Sequence, residues 1–215
     1  MTDWATIASL ATAGGTLVLA MATFASIRSA NRSARIAERA ARTAEQSLLA
    51  GQRPLLVSSR LQDPPQKVSF SEGNWLAVPG GGAALEITGN AVYMAISVRN
   101  VGTGLAVMHG WHVRTGLQTE RFHSPLDEFT SQLMDLYVAP GDTGYWLAAF
   151  RGPSAEAFQA VTDTINAGDP LTLSLLYGDF EGGQRVISQF VLRHGSERWL
   201  TTAARHFNVD RNDPR

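Results

Sequence analysis

The sequence predicts a mainly β domain carried on one long N-terminal helix, and three observations predict it. Between Asp3 and Arg28 lie 24 residues without a formal charge, WATIASLATAGGTLVLAMATFASI. One heptad register runs through them and on to Leu48 without a slip. After Pro54 the hydrophobic period changes from that of a helix to that of strands. A chain of 215 residues has room for one ordinary domain beside such an anchor.

The uncharged stretch, as a helix, is roughly 36 Å long, enough for a hydrocarbon core of about 30 Å with some tilt. A cleaved signal peptide wants a basic start, whereas Met1-Thr2-Asp3 has an acidic residue. A core helix of a soluble protein rarely lacks charge on every side over such a length. Residues 1–27 therefore read as a transmembrane helix. Arg28, Arg32, Arg35, Arg39 and Arg42 follow it, and the other end has no Lys or Arg. The positive-inside rule then gives a single-pass protein of the cell inner membrane, N-terminus outside and C-terminal domain cytoplasmic. Arg28, Arg32 and Arg35 are expected to contact lipid headgroups, each worth on the order of 1 kcal/mol there.

Residues 28–53 read as a helical stalk that keeps the same register. Positions a and d are Thr6, Ser9, Ala13, Thr16, Ala20, Thr23, Ile27, Ala30, Ala34, Ala37, Ala41, Ala44 and Leu48, all uncharged and nearly all small. Small residues let membrane helices approach closely where lipid removes the hydrophobic drive. The neighbouring c and g positions in the span are also small, with Leu19 the one large exception, and four adjacent positions make a face wide enough for a bundle of three or more. A sustained seven-residue repeat adds left-handed supercoiling. Glu38 to Arg42 is a favourable i,i+4 pair. Gly51 and Pro54 mark the helix end.

From Pro54 the strand signals accumulate. Leu55-Leu56-Val57 begins a first strand. Val92, Met94, Ile96 and Val98 alternate with Tyr93, Ala95, Ser97 and Arg99, as in a half-buried strand. Asn100 to Gly104 reads as a turn, with Leu105 to Val113 as the partner strand. Further strands are expected at Leu133–Val138, Thr143–Phe150, Leu171–Tyr177 and Arg185–Arg193, with a turn at Asp179–Gly183. Ser154 is expected to cap one helix from Ala155 to Ala167, which Gly168 ends. Gln62–Asn90 is loop-rich in its Pro and Gly content, and residues 208–215 form a polar, frayed tail. Residues 54–207 thus predict an immunoglobulin-like antiparallel β-sandwich with one inserted helix, a small barrel being the main competitor.

The residues AEQSLLAGQRPLLV at Ala44–Val57, VRNVGTGLA at Val98–Ala106 and YGDFEGG at Tyr177–Gly183 support a resemblance. The chain resembles a group of bacterial single-span membrane proteins of uncharacterised activity. These have an N-terminal helix, an Ala/Arg-rich stalk ending in arginine-proline, and a C-terminal β-sandwich. The resemblance covers the layout of the whole chain and implies no activity.

No catalytic constellation emerges from the residues. Gly80-Gly81-Gly82 lacks the lysine and hydroxyl of a phosphate loop. His109 and His112, three apart on a strand, point to opposite faces and share a metal only across a bulge. No elbow motif places a serine nucleophile, and Trp75, Trp111, Trp146 and Trp199 read as core or rim aromatics. Net charge of −1 gives no bulk signal for nucleic acid, and zero cysteines exclude disulfides and thiol chemistry. Arg193, His194, Arg198, Arg205, His206 and Arg211 make the C-terminus mildly basic, as a solvated face.

No enzyme, metal or cofactor is expected. The expectation is a membrane-anchored, self-associating scaffold or sensor presenting a cytoplasmic β-sandwich for protein or ligand binding. The alternative is a small oligomeric pore gated by the β domain, with Thr6, Ser9, Thr16 and Thr23 along its path.

Overall fold

The computed structural model describes residues 3–120 and 122–210, without the side chains of residues 5, 6, 49 and 50. Arg211 and the rest of the 211–215 tail lie outside the described residues, as does the side chain of Thr6. The chain divides into two compact units, Met1–Ala50 and Gly51–Arg215.

The first unit is helix α1, Trp4–Gly51, whose 48 residues span about 72 Å at the α-helical rise. It is the one helix among the described residues long and apolar enough to cross a membrane. Its large apolar side chains, from Leu10 and Leu17 to Met21 and Phe24, are all exposed. Glu38 and Arg42 form the expected i,i+4 ion pair at 2.5 Å.

The second unit is mainly β. Strands β1 (Leu56–Ser58), β2 (Gln66–Ser69), β3 (Trp75–Val78), β4 (Gly82–Ile87), β5 (Ala91–Asn100) and β6 (Ala106–Thr115) come first. Short strands β7 (Thr130–Ser131) and β8 (Tyr137–Val138) and the long β9 (Thr143–Arg151) follow. Helix α2 (Glu156–Ala167) then precedes β10 (Leu171–Gly178), β11 (Val186–His194) and β12 (Trp199–Asn208). Apart from the separate β2–β3 hairpin, the strands form one antiparallel sheet that curls on itself as a half-barrel. The ladder runs from β5 through β4, β12, β11 and β10 to β6, with β9 on the far edge of β5. The curl brings Trp146 of β9 against Trp111 of β6, ring centroids 5.5 Å apart, inside a core with Phe190, Leu173 and Met94.

Strand β5 is buried on both faces, not one. Val92, Met94, Ile96 and Val98 enter the main core, while Ala91, Tyr93 and Ala95 pack under the β2–β3 hairpin with Val68, Phe70 and Leu76. That hairpin and β4 lie within Gln62–Asn90, the segment expected to be loop. Its glycines and prolines mark the turns, and its strands are only four to six residues long.

The turn after β5 does not make a hairpin. Strand β5 is already paired with β1 and β4 on one edge and β9 on the other, so β6 crosses over to pair with β10. The expected strand Leu133–Val138 reduces to Tyr137–Val138. A further strand, β12, carries Arg, His and Thr that interrupt the apolar pattern; it is held by its ladders to β11 and β4, and only Thr201 and Phe207 on it are buried. Asn208 is its last residue and Asp210 is ion-paired to Arg185, so the tail expected from Asn208 is tied down that far.

Helix α2 buries Phe158 and Val161 in the core. Its N-cap is Ala155, with no side-chain cap, so Ser154 does not play that part. Gly168 ends it in the left-handed region at φ 71°, which a Cβ disfavours. Replacing Gly168 with alanine is expected to cost about 1 kcal/mol. Trp146→Ala should cost about 3–5 kcal/mol, because its side chain is fully buried. Urea unfolding of the full chain, followed by tryptophan fluorescence for the first and by near-UV dichroism for the second, measures both.

Candidate functional site

On α1 the described a and d positions, Ser9 through Leu48, are all solvent-exposed, as are Arg28, Arg32 and Arg35. Thr16, Ala20, Thr23 and Ile27 line a shallow groove between the larger Leu19 and Phe24. The three arginines line a second hollow together with Ser29 and Asn31. Hydroxyls on this helix are spent locally: Thr12 donates to Ala8 O (2.9 Å), Thr16 to Thr12 O (2.7 Å) and Thr23 to Leu19 O (2.8 Å).

Within the β unit, the three motifs behind the resemblance converge on the segment Gly51–Ser58. Asn100 is the hub. Its Oδ1 accepts from Leu55 N–H (3.1 Å) and Gly102 N–H (3.0 Å), and its Nδ2 donates to Gly104 O (2.7 Å) and Val138 O (3.0 Å). A Cβ at Gly102 or Gly104 would collide with the Gln52–Leu55 backbone, so glycine is required for that approach. Thr103 Oγ1 donates to Gly51 O, and Arg53 donates to Asn208 Oδ1. In the Tyr177–Gly183 motif, Asp179 accepts from Gly183 N–H (2.9 Å) and Gln184 Nε2 (3.1 Å), which shapes the turn.

Beneath this entry runs a polar chain. Leu56 N–H donates to the Tyr177 hydroxyl (3.0 Å), which lies 2.7 Å from Ser188 Oγ, itself 2.6 Å from His206 Nδ1. Burial pushes the Tyr177 phenol up, so it stays protonated as a donor. Desolvation, then the nearby Arg53 charge, lowers the His206 pKa. With neutral His206 accepting at Nδ1, every hydroxyl in the chain donates in one direction. A proton on Nδ1 would make that nitrogen a donor to Ser188 Oγ and leave one hydroxyl of the chain without its acceptor.

His109 and His112 lie on one face. Ladder register shifts between Leu176 and Tyr177 of β10, so β6 carries an extra residue opposite them. Ala106, Met108, Trp111 and Val113 all reach the main core, which turns both histidines outward. Glu128 lies 3.6 Å from His112, whose ring meets Phe129, whereas His109 sits by Gly178 under the influence of Arg185 and Asp179. Among the described residues no three His, Asp or Glu groups converge as metal ligands. Both pKa values are lowered, with desolvation the main cause.

Trp146 is wholly buried, Trp111 and Trp199 are half-buried against the core, and Trp75 is exposed on the hairpin. A cleft lined by Phe70, Trp111 and residues 130–134 and 147–149 opens at the seam of the curled sheet. No periodicity points to it, because it depends on where two edges stop. No family model matches the chain, and no curated protein or solved structure is significantly similar to it.

Asn100→Ala is expected to destabilise the β unit by about 2–4 kcal/mol, since it orphans buried carbonyls and amides together. Chemical denaturation of the full chain in detergent checks this. Acidification should also destabilise it. His109, His112 and His206 bind fewer protons folded than unfolded between their lowered values and the ordinary 6.5. Stability is therefore complete above 6.5 and is lost as pH falls through the folded values. A denaturation midpoint that stays constant from neutral pH to pH 5 would contradict this.

Proposed function

We propose that the chain is a membrane-anchored, self-associating scaffold or sensor of the single-span layout it resembles. The anchor holds the β domain at the cytoplasmic face of the inner membrane, where it binds protein. The carrying observation is the long exposed helix, uncharged through its first half and arginine-rich directly after, followed by a folded β unit. An apolar surface of that extent is stable only in lipid or against other protein. Arg28, Arg32 and Arg35 suit the headgroup layer of the cytoplasmic leaflet.

Self-association of three or more copies draws support from the groove over Thr16, Ala20, Thr23 and Ile27, where a neighbouring backbone can approach. With the Thr16 and Thr23 hydroxyls bonded to their own helix, a polar pore lining draws no specific support from them.

The absence of native cysteine makes the test clean. Full-length protein should sediment with membranes and resist carbonate extraction. Single replacements Ala20→Cys, Ala34→Cys and Ala41→Cys should each form disulfide-linked dimers in oxidised native membranes, and Glu38→Cys should not. Equal crosslinking at all four positions, or none, overturns the shared face. Labelling of Ser29→Cys by an impermeant maleimide in intact cells overturns the orientation.

A further inference from the structure

Strand β9 is hydrogen-bonded along one edge only. It pairs with β5 from Arg99↔Thr143 to Ala91↔Arg151. The bonds Asn100 N–H to Asp142 O (3.0 Å) and Gly152 N–H to Asn90 O (3.2 Å) at its two ends set the phase. Even-numbered residues thus bond β5, and the main chain of Tyr145, Leu147 and Ala149 turns away from it. Opposite stands β7, which pairs only with β6. Its phase follows from Gln132 N–H donating to His109 O (2.9 Å), which leaves the main chain of Ser131 and Leu133 on the open side. No ladder joins β7 to β9 among the described residues. The sheet is therefore a barrel that stops short of closing.

Three features say what fits there. Between the edges lies a cleft of about 210 Å³ with Trp111 and Phe70 in its lining. That is enough for one apolar side chain and smaller than ordinary cofactor pockets. Gln132, only 8% exposed, lines this cleft; its Nε2 donates to Met134 O (2.7 Å), while its Oε1 is buried without a donor. It calls for an N–H. The rim adds no net charge, because Arg151 is ion-paired with Glu72 and donates to Ala149 O. Leu133, 84% exposed, stands beside the opening.

We propose that this seam docks an extended, uncharged segment of a partner protein. The segment adds as a strand along the β9 edge and places one apolar side chain in the cleft. Only an extended polypeptide offers N–H and C=O groups at the two-residue period of that edge. A second copy fits less well, since its own β9 edge faces its own β7 across the same cleft. The proposal rests on the reading of the β unit as a binding module. Membrane sedimentation and cysteine crosslinking test the anchor separately, so either can fail without the other.

The test uses the full chain in lipid nanodiscs and a fluorescein-labelled peptide, Ser-Val-Thr-Leu-Ser-Val-Thr, amidated at its C-terminus. Saturable binding by anisotropy is expected, together with slowed hydrogen exchange at the amides of Tyr145, Leu147 and Ala149. N-methylation of alternate peptide amides should weaken binding about tenfold for each main-chain bond removed. Ala149→Pro deletes an amide facing the seam and not β5, and should abolish binding. The N-methylated peptide makes the same test without altering the protein. Three results would overturn the proposal: no saturable binding, undiminished binding of the N-methylated peptide, or protection of those amides that grows with protein concentration alone.

Discussion

Strand β5 is the constraint on which the β unit depends. It is buried on both faces and paired on both edges, so no peptide group along it has recourse to water. Everything around it follows from that closure. The β2–β3 hairpin must cover its second face, and the chain after Asn100 must leave for the opposite side of the curled sheet. Asn100 ends the strand by acting as a surrogate backbone, with two acceptor and two donor bonds in one side chain.

The same residue connects this closure to the chain entering from α1. Leu55 is held by Asn100 and Leu56 by Tyr177, while Gly102 and Gly104 leave room for the Gln52–Leu55 backbone. The polar chain from Leu56 to His206 thus lies directly under the point where the domain begins. Each of its groups is satisfied while His206 is neutral, which makes this entry segment sensitive to protonation. Asn100, Gly102, Gly104 and Tyr177 are, in physical terms, the parts of one clamp on this segment.

The curl of the sheet into a half-barrel, consistent with the expected sandwich class, has a physical consequence. A curled sheet that does not close keeps two edges, and edges are where strands recruit others. Here α2 plugs the core beside the seam through Phe158 and Val161, while β7 and β9 remain apart. Among the described residues two kinds of surface thus stay uncovered, the exposed apolar flank of α1 and the unpaired edges of β7 and β9.

Much of the architecture was legible from local pattern. The helix was readable because 24 uncharged residues and an arginine cluster are contiguous, and β9, β10 and β11 because alternation or a continuous apolar run marks a buried strand. The Gly168 stop was readable because few other residues tolerate its backbone. What was not legible depended on partners distant in sequence. β5 looks half-buried in isolation, since the hairpin covering its other face is remote. β12 looks polar because its outward positions carry Arg and His. His109 and His112 share a face only through a bulge that β10 imposes, and the seam between Ser131 and Ala149 exists only because two strands fail to meet. The sequence by itself determined which segments are apolar helix and which are strand, through periods of a few residues. Tertiary structure alone decided which edges pair and which stay open, because pairing is a competition among all strands for the same hydrogen bonds.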